Sequence, residues 1–129
     1  MNTRDVRSAL VERLAVGVDG VAVHRRAPGS IPHTPAVVVV RQGYPAHDTF
    51  GDASPTFAFN LVALVSSASE SNGDVLDDLV DDIVAVFDDA PTLDGGAGQA
   101  VVTRIGDEDR VDIGGQNFYA TTIEVEVLT

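Results

Sequence analysis

Residues 74 to 88, DVLDDLVDDIVAVFD, constrain the fold more than any other stretch. Val75, Leu76, Leu79, Val80, Ile83, Val84 and Phe87 recur at the spacing of one helical face. Such a helix must lay its apolar stripe on something, and the neighbouring segments supply a sheet. FAFNLVALV, residues 57 to 65, puts Phe57, Phe59, Leu61, Ala63 and Val65 on one face of a strand. FYATTIEVEVL, residues 118 to 128, alternates Tyr119, Thr121, Ile123, Val125 and Val127 against Phe118, Thr122, Glu124 and Glu126, which predicts a half-exposed strand. AVVVV, residues 36 to 40, is apolar on both faces and predicts a central strand covered on both sides.

The remaining segments complete the order. Val6, Ala9, Leu10 and Leu14 make one stripe of a helix over residues 4 to 16, opening at a Thr3 cap and closing at Gly17. GVAVHRR, residues 20 to 26, reads as a short strand leading into the proline-broken loop PGSIPHTP. RQGYPAHDTFGDASPT, residues 41 to 56, reads as a long loop, and SSASESNG, residues 66 to 73, as a solvated connector. Ala90-Pro91 stops the second helix; TLDGGAGQ then forms a glycine-rich turn, AVVTRI a strand and GDEDRVDIGGQ an acidic hairpin tip. The order α-β-β-β-α-β-β predicts an α+β fold: a single antiparallel or mixed sheet of about five strands with two helices packed on one face. No repeat and no linker divides the 129 residues, so residues 1 to 129 are expected to form one domain.

Composition narrows the chemistry. All eight basic residues are arginine, which excludes phosphate loops, kinase-type nucleotide sites and Schiff bases that need a lysine amine. No cysteine is present, so thiol nucleophiles, zinc-cysteine sites and disulfides are excluded. The charge of -12 argues against wrapping nucleic acid, whose phosphates are met by clustered basic side chains. No apolar run reaches the ~20 residues of a membrane span, and MNTRDVRSAL lacks a signal-peptide core, so a soluble intracellular protein with no membrane partner is expected.

No motif reaches catalytic specificity. Asp77, Asp78, Asp81 and Asp82 superficially match the aspartate-rich motif of isoprenoid synthases, but those are much longer helical bundles with basic residues for the diphosphate. The reading is a solvated acidic helix face, with weak Mg²⁺ or Ca²⁺ binding as a side expectation. Asp107, Asp109 and Asp112 fail the calcium-loop pattern, because Val111 and Asp112 stand where an acceptor and a glycine are required. His24, His33 and His47 show no metal-ligand spacing, no serine sits in a nucleophile-elbow motif, and Gly95 to Gly98 precede a strand rather than a helix. No cofactor, metal or catalytic residue is therefore assigned, and a non-enzymatic role is expected. Tyr44, Phe50 and Phe118, in an aromatic-poor chain, are either interface anchors or fold back over the sheet edge.

Several of these segments together resemble the tail terminator proteins of long-tailed bacteriophages. The likeness rests on the N-terminal helix and short strand, the proline-containing loop before Pro35 to Val40, and the FAFNLVALV strand. It continues through the helix from Asp74 to the proline and leucine ending at Leu93, and finishes in TTIEVEV. It is topological and hydrophobic, covers nearly the whole chain, and is shared in part by head-closure and tail-completion proteins. The resemblance implies a structural virion protein, in the tail neck once assembled and in the host cytoplasm before. It would form a homohexameric ring that caps the tail tube protein and joins the head-tail connector or stopper, with DNA passing through the lumen unbound. Arg25, Arg26, Arg41, Tyr44, His47, Phe50, Asp107, Asp109 and Arg110 are the candidate ring or docking contacts, the arginines pairing with carboxylates of a neighbour. The plain alternative keeps these arginines as surface charges within one subunit. Since six copies at -12 repel, net charge alone predicts a ring favoured by Mg²⁺ or high ionic strength. Other readings are a different neck protein, a dimeric ferredoxin-like ligand-binding module and a metal-dependent enzyme built on the aspartate helix.

Overall fold

The computed structural model describes residues 2–42, 56–93 and 98–128. The elements run α1 (Thr3–Gly17), β1 (Ala22–His24), β2 (Ala36–Arg41), β3 (Thr56–Ser66), α2 (Asn72–Asp89), β4 (Thr92–Leu93), β5 (Gly98–Ile105), β6 (Asp109–Ile113) and β7 (Gln116–Leu128). Two helices and a mixed sheet in the order β1-β2-β3-β7-β5-β4, with β6 also paired to β7, make an α+β fold. β1 and β2 are parallel and the other pairs antiparallel.

Alternation decides which side of the sheet the helices cover. Phe57, Phe59, Leu61, Ala63 and Val65 of β3 share one buried cluster with Ile123, Val125 and Val127 of β7 and Val37 and Val39 of β2. Val6, Leu10 and Leu14 of α1 and Leu76, Leu79, Ile83 and Phe87 of α2 pack into the same cluster, so both helices lie on that face. α1 touches both edge strands, β1 and β4, which requires the sheet to curl around it. The helices approach closely at one point: a Cβ on Gly17 would sit 2.7 Å from a Val86 methyl.

The opposite face carries a smaller core of Ile31, Ala36, Val38, Leu64, Phe118 and Ala120. Ile31 comes from the connection between the parallel strands β1 and β2, so that proline-rich segment covers the second face of AVVVV. β2 is accordingly buried on both faces from Ala36 to Val39, although it lies second from the sheet edge and not at the centre.

The centre belongs to β7, which pairs with β3 from Thr56–Leu128 to Ser66–Phe118 and on its other edge with β5 and β6 in turn. Its exposed residues are Gln116 and Asn117 at the turn and Glu126 and Leu128 at the far end, with Glu124 half-buried. Phe118 is a core residue, 3% exposed, and not an interface anchor. The segment expected to be one acidic tip contains a strand, because Val111 and Ile113 alternate onto the second core and the turn is confined to Gly114-Gly115. With the short β4, this raises the strand count to seven among the described residues. The first helix is capped by Asn2 and not Thr3: Asn2 Oδ1 accepts from the Asp5 amide at 2.8 Å.

A bulge in β5 has a local purpose. The register slips between Val102 and Arg104, which turns Arg104 to the same face as Glu124 and allows a 3.3 Å ion pair. Glu124 also accepts from Gln42 Nε2 at 3.3 Å.

Gly114 and Gly115 have φ of +61° and +83°, the left-handed values of a two-residue hairpin turn. At Gly114 an added Cβ would also lie 2.5 Å from the Gly29 carbonyl oxygen, whereas at Gly115 it would meet open space. Gly115→Ala is expected to cost about 1 kcal/mol and Gly114→Ala clearly more, about 2–3 kcal/mol. Urea denaturation of the two variants measures the difference.

Candidate functional site

The most unusual side chain in the structure is Arg7, 4% exposed on the buried face of α1 between Val6 and Leu10. A guanidinium in such a place needs acceptors. Its Nη1 donates to the carbonyls of Arg25 at 2.6 Å and Val39 at 2.8 Å, and its plane lies 5.4 Å from the centre of the Phe59 ring. Both carbonyls lie where the parallel strands β1 and β2 run out at the same end of the sheet, so the pairing itself builds the seat.

That geometry gathers further positive charge. Arg25 and Arg26 follow β1, Arg41 ends β2, and Arg25 Nη2 reaches the Arg4 carbonyl at 3.3 Å. Burial, followed by the charges of Arg26, Arg25 and Arg41, holds the Arg7 guanidinium below its ordinary pKa. Among the described residues none of Arg4, Arg7, Arg25, Arg26 and Arg41 forms an ion pair. Five of eight arginines thus share one corner, and among the described residues none of them pairs with a carboxylate.

The opposite end of α1 is acidic. An open groove of about 810 Å³ runs between the C-terminal ends of the two helices. It is lined by exposed Val16 and Ala85 and by Glu12, Asp19, Asp82 and Asp89. Val16 is 83% exposed there. Arg13 also lines the groove, but its guanidinium is turned to the α2 terminus, donating to the Ala90 and Thr92 carbonyls at 2.8 and 2.7 Å.

Helix dipoles disfavour part of each charge group. Arg4 sits in the first turn of α1 beside a favourably placed Asp5, while Asp88 and Asp89 sit at the negative end of α2, whose last turn holds no basic residue. Charges of the wrong sign at a helix end cost about 0.3–1 kcal/mol each. Local rules broken in this consistent way mark surfaces kept for something other than the stability of the isolated subunit.

The structure divides the sequence-derived candidates. Arg25, Arg26 and Arg41 converge at the arginine corner. Tyr44, His47 and Phe50 lie outside the described residues. Asp107 lies in the break between β5 and β6, and Asp109 and Arg110 in β6, all exposed. This second group is not brought to the corner: Arg110 stacks 5.4 Å over the ring of Tyr119, a register partner of Val65, whereas Arg41 pairs with Phe59. Six residues of strand, about 20 Å, separate those positions along β3. Asp112 Oδ1 accepts from the Gly115 amide at 3.1 Å and so serves the hairpin turn.

Two residues of the corner, Arg4 and Arg7, escape the sequence reading. The available signal was an arginine inside an apolar helical stripe next to a second arginine in a helical first turn. Elsewhere, His24 Nε2 and Asn60 Oδ1 are buried without a hydrogen-bond partner, one on β1 and the other beside Glu124 in β7. Among the described residues no group of three or more His, Asp or Glu is placed to hold a metal ion, and no helix is long and apolar enough to cross a membrane.

No protein-family model matches the chain, and no curated protein matches it.

Exposed Arg26 stands beside a buried cation, so reversing its charge replaces repulsion with attraction. Arg26→Glu is expected to stabilise the subunit by about 0.5 kcal/mol at low salt, an effect that fades as salt rises. Arg7→Leu is expected to cost about 2–3 kcal/mol, because the buried Arg25 and Val39 carbonyls lose their donor. Thermal melts of the two variants beside the parent at two salt concentrations check both signs.

Proposed function

We propose that the chain is a structural protein of a long-tailed bacteriophage, a tail terminator that closes the tail tube as a homohexameric ring and offers its other face to the head-tail connector. The observation that carries this reading is the element order. A first helix, a three-residue strand, a proline-containing connection, a doubly covered strand, a long strand and a second helix follow one another in the order of the resemblance, and the two strands that it implies after them are here joined by β4 and β6. The two helices share one face of the sheet, which leaves the edges at β1 and β4 and the loop ends for contacts with other subunits.

The charge pattern supports the same reading. A strongly acidic protein around a lumen repels DNA and lets it pass without adhesion. The unpaired arginine corner and the acid-rimmed groove are surfaces of the kind that a ring subunit presents to its neighbours. In this role the protein works by geometry: it fixes a length and a join, and calls for no reacting group.

Light scattering after size exclusion tests the proposal. A species near six times 13.5 kDa is the expected result. A stable dimer would instead favour a small ligand-binding module, and a strict monomer at high protein concentration would contradict self-assembly.

A further inference from the structure

We infer that the arginine corner of one subunit seats in the acid-rimmed groove of a second copy of this chain, so that subunits join head to tail along the direction of α1. The inference rests on the reading that the chain self-associates, and it names the contact that does so.

The two surfaces belong to one molecule but do not pair within it. The corner is built around Arg4 and Arg7 in the first two turns of α1, and the groove begins at Glu12 and continues past the end of that helix to Asp19. Along α1 the rise is about 7.5 Å from Arg7 to Glu12 and about 22 Å from end to end. Among the described residues no arginine of the corner pairs with a carboxylate of the groove.

Their chemistry is complementary in shape as well as sign. An arginine carries an apolar stem and a planar charged head. The groove offers exposed Val16 and Ala85 for stems, and Glu12, Asp19, Asp82 and Asp89 for guanidinium groups that pair carboxylates bidentately. Arg25 and Arg26 lie on the connection leaving β1, and among the described residues neither they nor the four rim carboxylates form an ion pair. Carboxylates arriving beside Arg25 and Arg26 would offset the repulsion that adds to burial in lowering the Arg7 pKa.

The arrangement also restricts the symmetry. A two-fold dimer that buries one patch alone sets like charge against like, so opposite patches must meet either twice in a closed dimer or once per subunit in a heterologous contact, which closes into a ring when the rotation per subunit allows. The ring reading requires the second. Charge distribution thereby reverses the salt dependence expected from net charge: association should weaken with added salt.

Charge-reversed pairs test this. Arg25→Glu/Arg26→Glu takes the corner from five positive charges to a net of about +1, and Asp82→Arg/Asp89→Arg leaves the groove rim, with Glu12 and Asp19, at a net of about zero. Each substitution relieves a local conflict, so both variants are expected to melt no lower than the parent. In sedimentation velocity at about 0.1 M salt, each variant alone should associate at least about tenfold more weakly than the parent. An equimolar mixture should recover association, because the unaltered corner of one variant meets the unaltered groove of the other and the introduced carboxylates meet the introduced guanidinium groups. The parent should dissociate progressively as salt approaches about 1 M, where the Debye length falls to ~3 Å. Variants that associate as the parent does, a mixture that stays monomeric, or association promoted by salt would overturn the inference. A hexamer indifferent to the reversals would retain the ring and discard this contact; a charge-dependent dimer that grows no further would retain the contact and discard the ring.

Discussion

The pairing of β3 with β7 is the constraint on which the rest of the structure depends. These are the longest strands, joined in continuous register from one end of the sheet to the other. Because side chains alternate, that register fixes which residues meet the helices and which meet the second core. A slip of one residue would turn Phe59, Leu61, Ile123 and Val125 away from α1 and α2 and present Asn60 and Glu124 to them. With β3 and β7 fixed, β2 adds on one side, β5 and β6 on the other, and both helices have one apolar surface to cover.

The residues most plainly legible in the sequence are those whose burial repeats with a simple period. Leu76, Leu79, Val80, Ile83 and Phe87 of the predicted stripe and the odd positions of β3 are buried as their spacing requires, whereas Val75 at the stripe's margin is 40% exposed and Val84 half-buried. β6 is harder to read, because Asp109, Arg110 and Asp112 hide the alternation of Val111 and Ile113 behind a run of charge. Phe118 sits between a polar turn and the alternating strand, and only the second sheet face, covered by Ile31 from a distant loop, explains its burial. The centrality of β7 is equally hidden. Glu124 and Glu126 make it resemble an exposed edge, yet both neighbours are strands.

The candidate site was legible only in part, for a related reason. Arg25 and Arg26 stand out as a dipeptide, and Arg41 ends an apolar strand, but nothing local ties them to Arg4 and Arg7. Parallel pairing of a three-residue strand with β2 brings them together, and that pairing spans a connection with no regular structure. The acid groove depends likewise on the close passage of α1 by α2 at Gly17 and Val86. What emerges is a stable framework with two regions where local preference is overruled: cations at a helix N-terminus, anions at helix C-termini, and opposite signs held apart. Conflicts of this kind are tolerated where a surface serves assembly.

The absence of native cysteine allows the most direct test of head-to-tail contact. Ala27, beside the arginine pair, and Ala85, in the groove, are both exposed and uncharged, so replacing either by cysteine leaves the contact charges intact. The account predicts that Ala27→Cys and Ala85→Cys proteins, mixed under mild oxidation at low salt, cross-link to each other and that neither cross-links efficiently to itself. Efficient disulfide formation within a single variant, with none between the two, would show that like patches meet and contradict it.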